Sequence, residues 1–86
     1  MTREEILDKI VAVITKSFGL DASEINLEAN FIEDLGFDSI DAVDFAVGVE
    51  EETGVKVEKE DLEGLRTVSD AVELILRKLA QGEGEG

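Results

Sequence analysis

One serine stands in a setting that could receive a phosphate ester. Ser39 follows Asp38, and Asp41 lies three positions after Asp38, as in a capping box at the start of a helix. A helix N-terminus presents unpaired backbone N–H groups and the positive end of the helix dipole, which both favour an anion. The spacing therefore predicts an exposed Ser39 hydroxyl where a phosphodiester is stabilised. An Asp-Ser pair before a helix is more often only a cap, so the pair alone does not decide the function.

The residue types that most often perform covalent chemistry are missing from the sequence. Its 86 residues include no cysteine and no histidine, which removes the thiolate nucleophile, the commonest general base and the commonest metal ligand. A serine without an adjacent base is a poor nucleophile. The many carboxylates are spread over a loop and one helix face, as is typical of solvated groups. We therefore expect no catalytic residue and no metal site, and a hydrolase that uses the acidic cluster is disfavoured.

The charge of the chain is strongly negative and unevenly distributed. The net charge is −14, and no Lys or Arg occurs between Lys16 and Lys56. Nucleic acid and anionic membrane surfaces are disfavoured as partners, because binding to both depends on Lys and Arg. A protein with a basic patch is the natural partner, although a merely solvated surface has the same composition. The interval contains eleven acids: Asp21, Glu24, Glu28, Glu33, Asp34, Asp38, Asp41, Asp44, Glu50, Glu51 and Glu52.

Hydrophobic periodicity and capping residues predict an all-α fold. Capping boxes begin at Thr2, Asp38 and Thr67, and Gly19 and Gly54 are expected to end helices. The prediction is a small four-helix bundle, with three main helices, one short helix and a long loop after helix 1. The helices are expected over residues 3–17, 39–53, 59–65 and 68–80, the loop over 19–37, one domain over 1–80 and a disordered Gly/Glu tail over 81–86.

The predicted helix over residues 39–53 has an acidic and an apolar side on a helical wheel. Ile40 and Val47 fall at the edge of the acidic arc, and Gly48 falls inside it, where it is expected to weaken the helix by about 1 kcal/mol. The two apolar residues are either the rim of the core or the anchors of a docking face. That docking face would consist of Ile40, Asp41, Asp44, Val47 and Glu51. The residues expected to face the core are Ala42, Val43, Phe45, Ala46 and Val49.

The stretch Asp-Leu-Gly-Phe-Asp-Ser-Ile-Asp at residues 34–41, followed by this acidic helix, resembles the acyl carrier protein family. The resemblance covers about residues 3–80. It implies that Ser39 carries a covalent 4′-phosphopantetheine arm, which a phosphopantetheinyl transferase moves from coenzyme A, and that Asp38 is the motif residue that caps the helix. It implies an acyl group held as a thioester on the arm, in fatty acid or related polyketide or specialised lipid biosynthesis. It also implies docking on helix 2 by acyl-transfer and acyl-processing enzymes with basic patches.

The resemblance further implies an acyl chain sheltered between helices, although ordinary core is the safer interpretation of the residues concerned: Val43, Phe45, Ala46, Leu62 and Val68. The chain departs from the family pattern at Phe37, where Ala is common beside the serine, and at Thr53, where a large apolar residue is usual. A monomer in the cytoplasm is expected, without membrane insertion, since no apolar run approaches a membrane span and the N-terminus lacks a signal-peptide pattern. The alternative is an unmodified acidic helical adaptor that binds a basic protein surface.

Overall fold

The structure is a computed structural model that describes residues 1–82. Within that range no strand forms, apart from one isolated antiparallel bridge between Asn30 and Thr67. The predicted all-α bundle is therefore confirmed. Residues 1–82 form four α-helices and one short 3₁₀ helix, namely α1 (Arg3–Phe18), the 3₁₀ helix (Ala22–Glu24), α2 (Ser39–Thr53), α3 (Lys59–Glu63) and α4 (Val68–Ala80).

The helix boundaries follow the capping residues closely. The three capping boxes predicted at Thr2, Asp38 and Thr67 are all present. Helix α3 is shorter than predicted, because the Gly64 N–H donates to the Asp61 carbonyl (3.2 Å) and closes the helix there. At the C-terminal end of α4, the Gln81 N–H donates to the Arg77 carbonyl (3.2 Å) and extends the last turn of the helix. The remainder of the tail expected to be disordered, residues 83–86, lies outside the described residues.

The core lies where α1 packs between α2 and α4. Full burial of an aliphatic side chain contributes about 1.5–3 kcal/mol, so the buried stripes of these three helices supply most of the stability. Helix α3 contributes no buried residue. The buried residues are Ile6, Ile10, Val13 and Ile14 from α1, Phe45, Ala46 and Val49 from α2, and Val68, Ala71, Val72, Leu74 and Ile75 from α4.

Three backbone hydrogen bonds, which we call the strap, tie residues 27–31 of the long loop to residues 66–69. They run from the Phe31 N–H to the Arg66 carbonyl (2.9 Å), from the Val68 N–H to the Ala29 carbonyl (3.0 Å) and from the Ser69 N–H to the Leu27 carbonyl (2.9 Å). The strap presses the apolar residues of the loop against the core, where Ile25, Ala29, Phe31 and Phe37 are buried.

Gly48 occupies a different environment from the one predicted. The helical wheel placed it in the acidic arc, but a Cβ built on Gly48 lies 2.6 Å from Cγ1 of Val13 on α1. The wheel describes an isolated helix and cannot show which side a neighbouring helix approaches. The absence of a side chain at Gly48 therefore lets α1 and α2 pack closely.

Two buried polar residues both have hydrogen-bond partners. The Thr53 hydroxyl donates to the Val49 carbonyl (2.7 Å) and accepts from the Val55 N–H (3.1 Å), which accounts for a polar residue at a buried position. Lys78, only 8% exposed, places Nζ 2.6 Å from Asp61 Oδ2 on α3 and donates to the Lys56 carbonyl (2.8 Å). The Asp61–Lys78 pair thus joins α3 to α4.

Partial burial raises the pKa of the Asp61 carboxyl. Hydrogen bonds from Lys78 and from the Glu58 N–H, together with the charge of Lys78, outweigh that effect and lower the pKa below its ordinary value. A carboxyl with a lowered pKa in the folded state adds stability above its unfolded-state pKa, and this stability is lost as pH falls through the folded-state pKa.

The first prediction concerns Gly48→Ala. Alanine gains about 1 kcal/mol of helix propensity, but overpacking against the stiff Val13 side chain costs about 1–3 kcal/mol. We expect a net loss of up to about 2 kcal/mol in the free energy of unfolding, measured by urea denaturation. Gly64→Ala is the matched control, since its Cβ meets only the Asp61 carbonyl at 3.7 Å. A Gly48→Ala protein as stable as Gly64→Ala contradicts the close packing.

The second prediction concerns Asp61→Asn. The variant should lose about 1–3 kcal/mol of unfolding free energy at neutral pH, because a charge-assisted hydrogen bond is replaced by a neutral one. The difference from wild type should narrow as pH falls from the ordinary aspartate range, where the unfolded chain takes up its proton, through the lowered folded-state pKa of Asp61. Denaturation across a pH series measures both effects. Glu60→Gln, an exposed acid on the same helix, is the control, and a difference that does not change with pH rules out the ion pair as its source.

Candidate functional site

Ser39 is the first residue of α2 and is exposed to solvent. Its neighbour Asp38 is the N-cap: the Asp41 N–H donates to Asp38 Oδ1 (2.9 Å), and the Asp38 N–H donates to Asp41 Oδ2 (3.1 Å). This reciprocal pair fixes the start of the helix at Ser39. The serine side chain therefore extends from a rigid helix end.

The first turn of α2 leaves backbone donors available beside the serine. The first intrahelical bond runs from the Ala42 N–H to the Asp38 carbonyl (3.0 Å), and Asp38 Oδ1 takes up the Asp41 N–H. The N–H groups of Ser39 and Ile40 have no partner within the helix. They can donate to an anion attached to the serine.

A tight turn directs the chain into α2. The Asn30 Oδ1 accepts from the N–H groups of Ile32 and Glu33 (both 2.9 Å), and the Phe37 N–H donates to the Phe31 carbonyl (2.8 Å). Gly36 has φ +73°, in the left-handed region that glycine adopts without strain. Residues 30–37 are consequently fixed to the strap, and Ser39 follows only two residues later.

All four phenylalanines of the chain form one cluster beneath the serine. Ring centroids lie 4.4 Å apart for Phe18 and Phe37, 5.4 Å for Phe31 and Phe37, and 5.1 Å for Phe31 and Phe45. Phe37 is 6% exposed, so the unusual residue beside the serine is part of the core. The sequence alone shows Phe37 as a departure from the family pattern and does not reveal its place in the core. One feature of the sequence could have indicated the cluster, namely that the four phenylalanines are its only aromatic residues.

An apolar groove of about 420 Å³ opens beside Ser39. Val43, which the wheel placed toward the core, is 54% exposed and lines this groove, because α3 does not cover that side of α2. Ile32 of the long loop is 71% exposed and also lines the groove. The lining residues are Phe31, Ile32, Phe37, Asp38, Ser39, Ala42, Val43, Phe45, Lys59, Leu62, Glu63 and Leu65.

The residues that the resemblance implied as an acyl shelter divide into two groups. Val43, Phe45 and Leu62 line the groove. Ala46 and Val68 are 9% and 0% exposed and lie in the core outside the groove.

The outer face of α2 combines apolar and acidic side chains. Ile40 and Val47 are 71% and 52% exposed, and Asp44 and Glu51 are also exposed. Asp41 is half-buried, and its carboxylate is engaged in the cap. Ile40, Val43 and Val47 follow helical spacing, so they form one apolar stripe beside the acids. Val43 was expected in the core, so its place in this stripe is a correction.

The acids of the interval between Lys16 and Lys56 are mainly at the surface, since nine of the eleven are exposed. Within residues 1–82, no three of the acidic side chains are grouped so that they could hold a metal ion. No helix in the same range has the length and apolar character needed to cross a membrane.

A sequence model described as the phosphopantetheine attachment site matches residues 8–75, which is most of the chain. The chain belongs to the acyl carrier protein family. The acyl carrier protein of Thermotoga maritima is 46% identical over 78 residues, covering 91% of this chain and 96% of that protein. The acyl carrier protein of Petrotoga mobilis is 39% identical over 79 residues, covering 92% and 93%.

Solved structures agree with this assignment. A crystal structure of an acyl carrier protein from Thermotoga maritima superposes with a TM-score of 0.80 at 31% identity, covering 94% of both chains. The family resemblance seen in the sequence is thereby confirmed. As an acyl carrier protein, the chain carries acyl groups on a covalently attached 4′-phosphopantetheine in fatty acid biosynthesis.

Proposed function

We propose that Ser39 is the residue that receives the 4′-phosphopantetheine arm. The observation that supports this proposal is the exposed Ser39 hydroxyl at the capped start of α2, on the margin of an apolar groove. The N–H groups of Ser39 and Ile40 would donate to the phosphodiester. Asp38 holds the first turn in place through its bond from the Asp41 N–H.

The arm supplies the thiol that this cysteine-free chain lacks, and an acyl group is held on that thiol as a thioester. The residues of the chain then have only to bind and orient the arm and its acyl group. The apolar groove beside Ser39 excludes water from the acyl chain, since its walls are mainly aliphatic and aromatic side chains. The protein acts as a carrier, and catalysis belongs to its partners.

The partners dock on the outer face of α2. A phosphopantetheinyl transferase and the acyl-transfer and acyl-processing enzymes would place basic patches against Asp44 and Glu51, while Ile40 and Val47 fill apolar pockets on them. Asp41 adds charge, although its first role is in the cap. Neither nucleic acid nor a membrane is a partner. The carrier works as a cytoplasmic monomer, with one domain over residues 1–80.

The third prediction tests the attachment residue. The protein is incubated with coenzyme A, Mg²⁺ and a phosphopantetheinyl transferase, and is followed by intact mass and peptide mapping. Wild type should gain one phosphopantetheine unit on the peptide that contains Ser39. Ser39→Ala should gain none while keeping its helical circular dichroism, because the N-cap is Asp38 and the change therefore costs less than the roughly 1 kcal/mol of a lost cap.

Ser17→Ala, at an exposed serine late in α1, is the matched control and should be modified like wild type. Modification of Ser39→Ala, or no modification of wild type by any of several transferases, contradicts the proposal. In the second case, an unmodified acidic adaptor is the better description.

The fourth prediction tests the docking face. Asp44→Lys should slow association with the transferase and flatten its dependence on salt, since an exposed charge acts mainly on the association rate. Ile40→Ala and Val47→Ala should instead speed dissociation, through lost apolar contact. Stopped-flow binding over a range of ionic strength measures both rates.

Asp44 is preferred to Asp41 for this test because a lysine at position 41 would also remove the cap. Asp8→Lys, an equal charge change at an exposed position on α1, is the control. Equal slowing by Asp8→Lys assigns the effect to net charge and removes the case for a specific face on α2.

A further inference from the structure

One residue on the wall of the groove beside Ser39 carries a positive charge. Of the described residues that line the groove, only Lys59 is basic, and it is the first residue of α3. Both helices contribute lining residues at helical spacing, namely Ser39, Ala42 and Val43 from α2, and Lys59, Leu62 and Glu63 from α3. The groove is therefore bordered by the turn of α2 that begins at Ser39 and by the face of α3 that begins at Lys59.

The ammonium group of Lys59 has no partner within residues 1–82. Its side chain is exposed, and none of the ion pairs and hydrogen bonds in that range includes it. Glu63 lies four positions along the same helix, a spacing at which opposite charges often pair, yet the two do not pair. A lysine is also unfavourable at the first position of a helix, because its charge adds to the positive end of the helix dipole. Neither an ion pair nor the helix itself accounts for a cation at this position.

The serine, in contrast, lies among acids. Asp38 precedes it and also lines the groove, and Asp41 bonds to Asp38 in the cap. A phosphodiester on Ser39 would add another negative charge there, which these carboxylates repel. The backbone N–H groups at the start of α2 offset part of that repulsion. A cation on the wall of the same groove would offset more of it.

We propose that Lys59 binds the phosphodiester that joins the arm to Ser39. This inference rests on the proposed function, because it requires the arm at Ser39. The groove that both residues line has a volume of only about 420 Å³, and the flexible four-carbon stem of lysine lets its ammonium group approach an anion there. The resulting ion pair joins α3 to α2, and it exists only after the arm is attached.

Attachment of the arm thereby stabilises a helix that is remote from Ser39 in sequence. In the structure, the Asp61–Lys78 pair joins α3 to α4, and the phosphodiester adds a contact to α2. At the start of α3, the Leu62 N–H donates to the Glu58 carbonyl (3.1 Å). Hydrogen exchange at the Leu62 amide therefore reports the opening of α3.

The test compares the unloaded protein with the form that bears the free arm, made with coenzyme A and a phosphopantetheinyl transferase under reducing conditions. Intact mass and peptide mapping first establish complete loading on the Ser39 peptide. At low ionic strength, loading of wild type should slow exchange at Leu62 by up to roughly fivefold and raise the melting temperature by a few degrees, as expected of an exposed ion pair. Both effects should shrink at high ionic strength.

Three variants separate the charge of Lys59 from other effects of loading. Lys59→Met removes the charge and keeps an unbranched stem, so both effects should be lost, whereas Lys59→Arg should retain them. Lys56→Met is the matched control, since Lys56 is an exposed lysine three positions before α3 that does not line the groove. It should respond to loading as wild type does. An equal response in wild type and Lys59→Met, or an equal loss in Lys59→Met and Lys56→Met, overturns the pairing.

The terminal carboxylate of a dicarboxylic acyl group is the alternative anion for Lys59. Succinyl and butyryl groups both have four carbons, but only the succinyl group ends in a carboxylate, and each is loaded from its acyl-coenzyme A. The difference between wild type and Lys59→Met should already be present with the free arm and should persist with butyryl. A difference that occurs only with succinyl overturns the assignment to the phosphodiester.

Failure of the proposed function is distinguishable from failure of the pairing. Wild type that gains no mass on the Ser39 peptide contradicts the attachment, and the pairing with it. Wild type that is fully loaded at Ser39, but shows neither slower exchange at Leu62 nor a higher melting temperature, overturns the pairing with Lys59 and leaves the attachment intact.

Discussion

The strap between residues 27–31 and 66–69 is the interaction on which the site depends. The loop of residues 19–37 has little regular structure, and ordering it costs conformational entropy at every residue. Three backbone bonds and the burial of Phe31 offset that cost. Because Phe37 bonds to Phe31, and Ser39 follows Phe37 closely, the same bonds determine where the serine stands relative to the groove. The functional end of the molecule is thus held by contacts remote from the serine in sequence.

The parts of the fold set by local sequence could be predicted. Helices α1, α2 and α4 begin at capping boxes and carry regular apolar stripes, so their existence and their starts followed from the sequence alone. The features that the sequence did not reveal depend on contacts between elements. A helical wheel assigned Gly48 to the acidic arc and Val43 to the core, because it contains no information about where α1 and α3 lie.

In the site, too, the features set by local sequence could be predicted, and those set by contacts between elements could not. The setting of Ser39 at the start of α2 was readable, since Asp38 and Asp41 act within one turn of the helix. The half-burial of Asp41, whose carboxylate is engaged in the cap, could be seen only in the structure. The contact between Phe31 and Phe45 could also be seen only in the structure, because the two residues are fourteen positions apart along the chain. Long-range side-chain packing of this kind leaves no local pattern in a single sequence.

Helix α3 gives the molecule an uneven distribution of local stability. It has five residues, none of them buried, and it forms one wall of the groove. Displacing it breaks the Asp61–Lys78 pair but takes none of its own residues out of a buried position, whereas α1, α2 and α4 each contribute buried residues to the core. Opening of this segment therefore has a lower free energy than global unfolding. Solvent and partner proteins can reach the groove beside Ser39 through sub-global fluctuation of one short helix, while the rest of the bundle remains native.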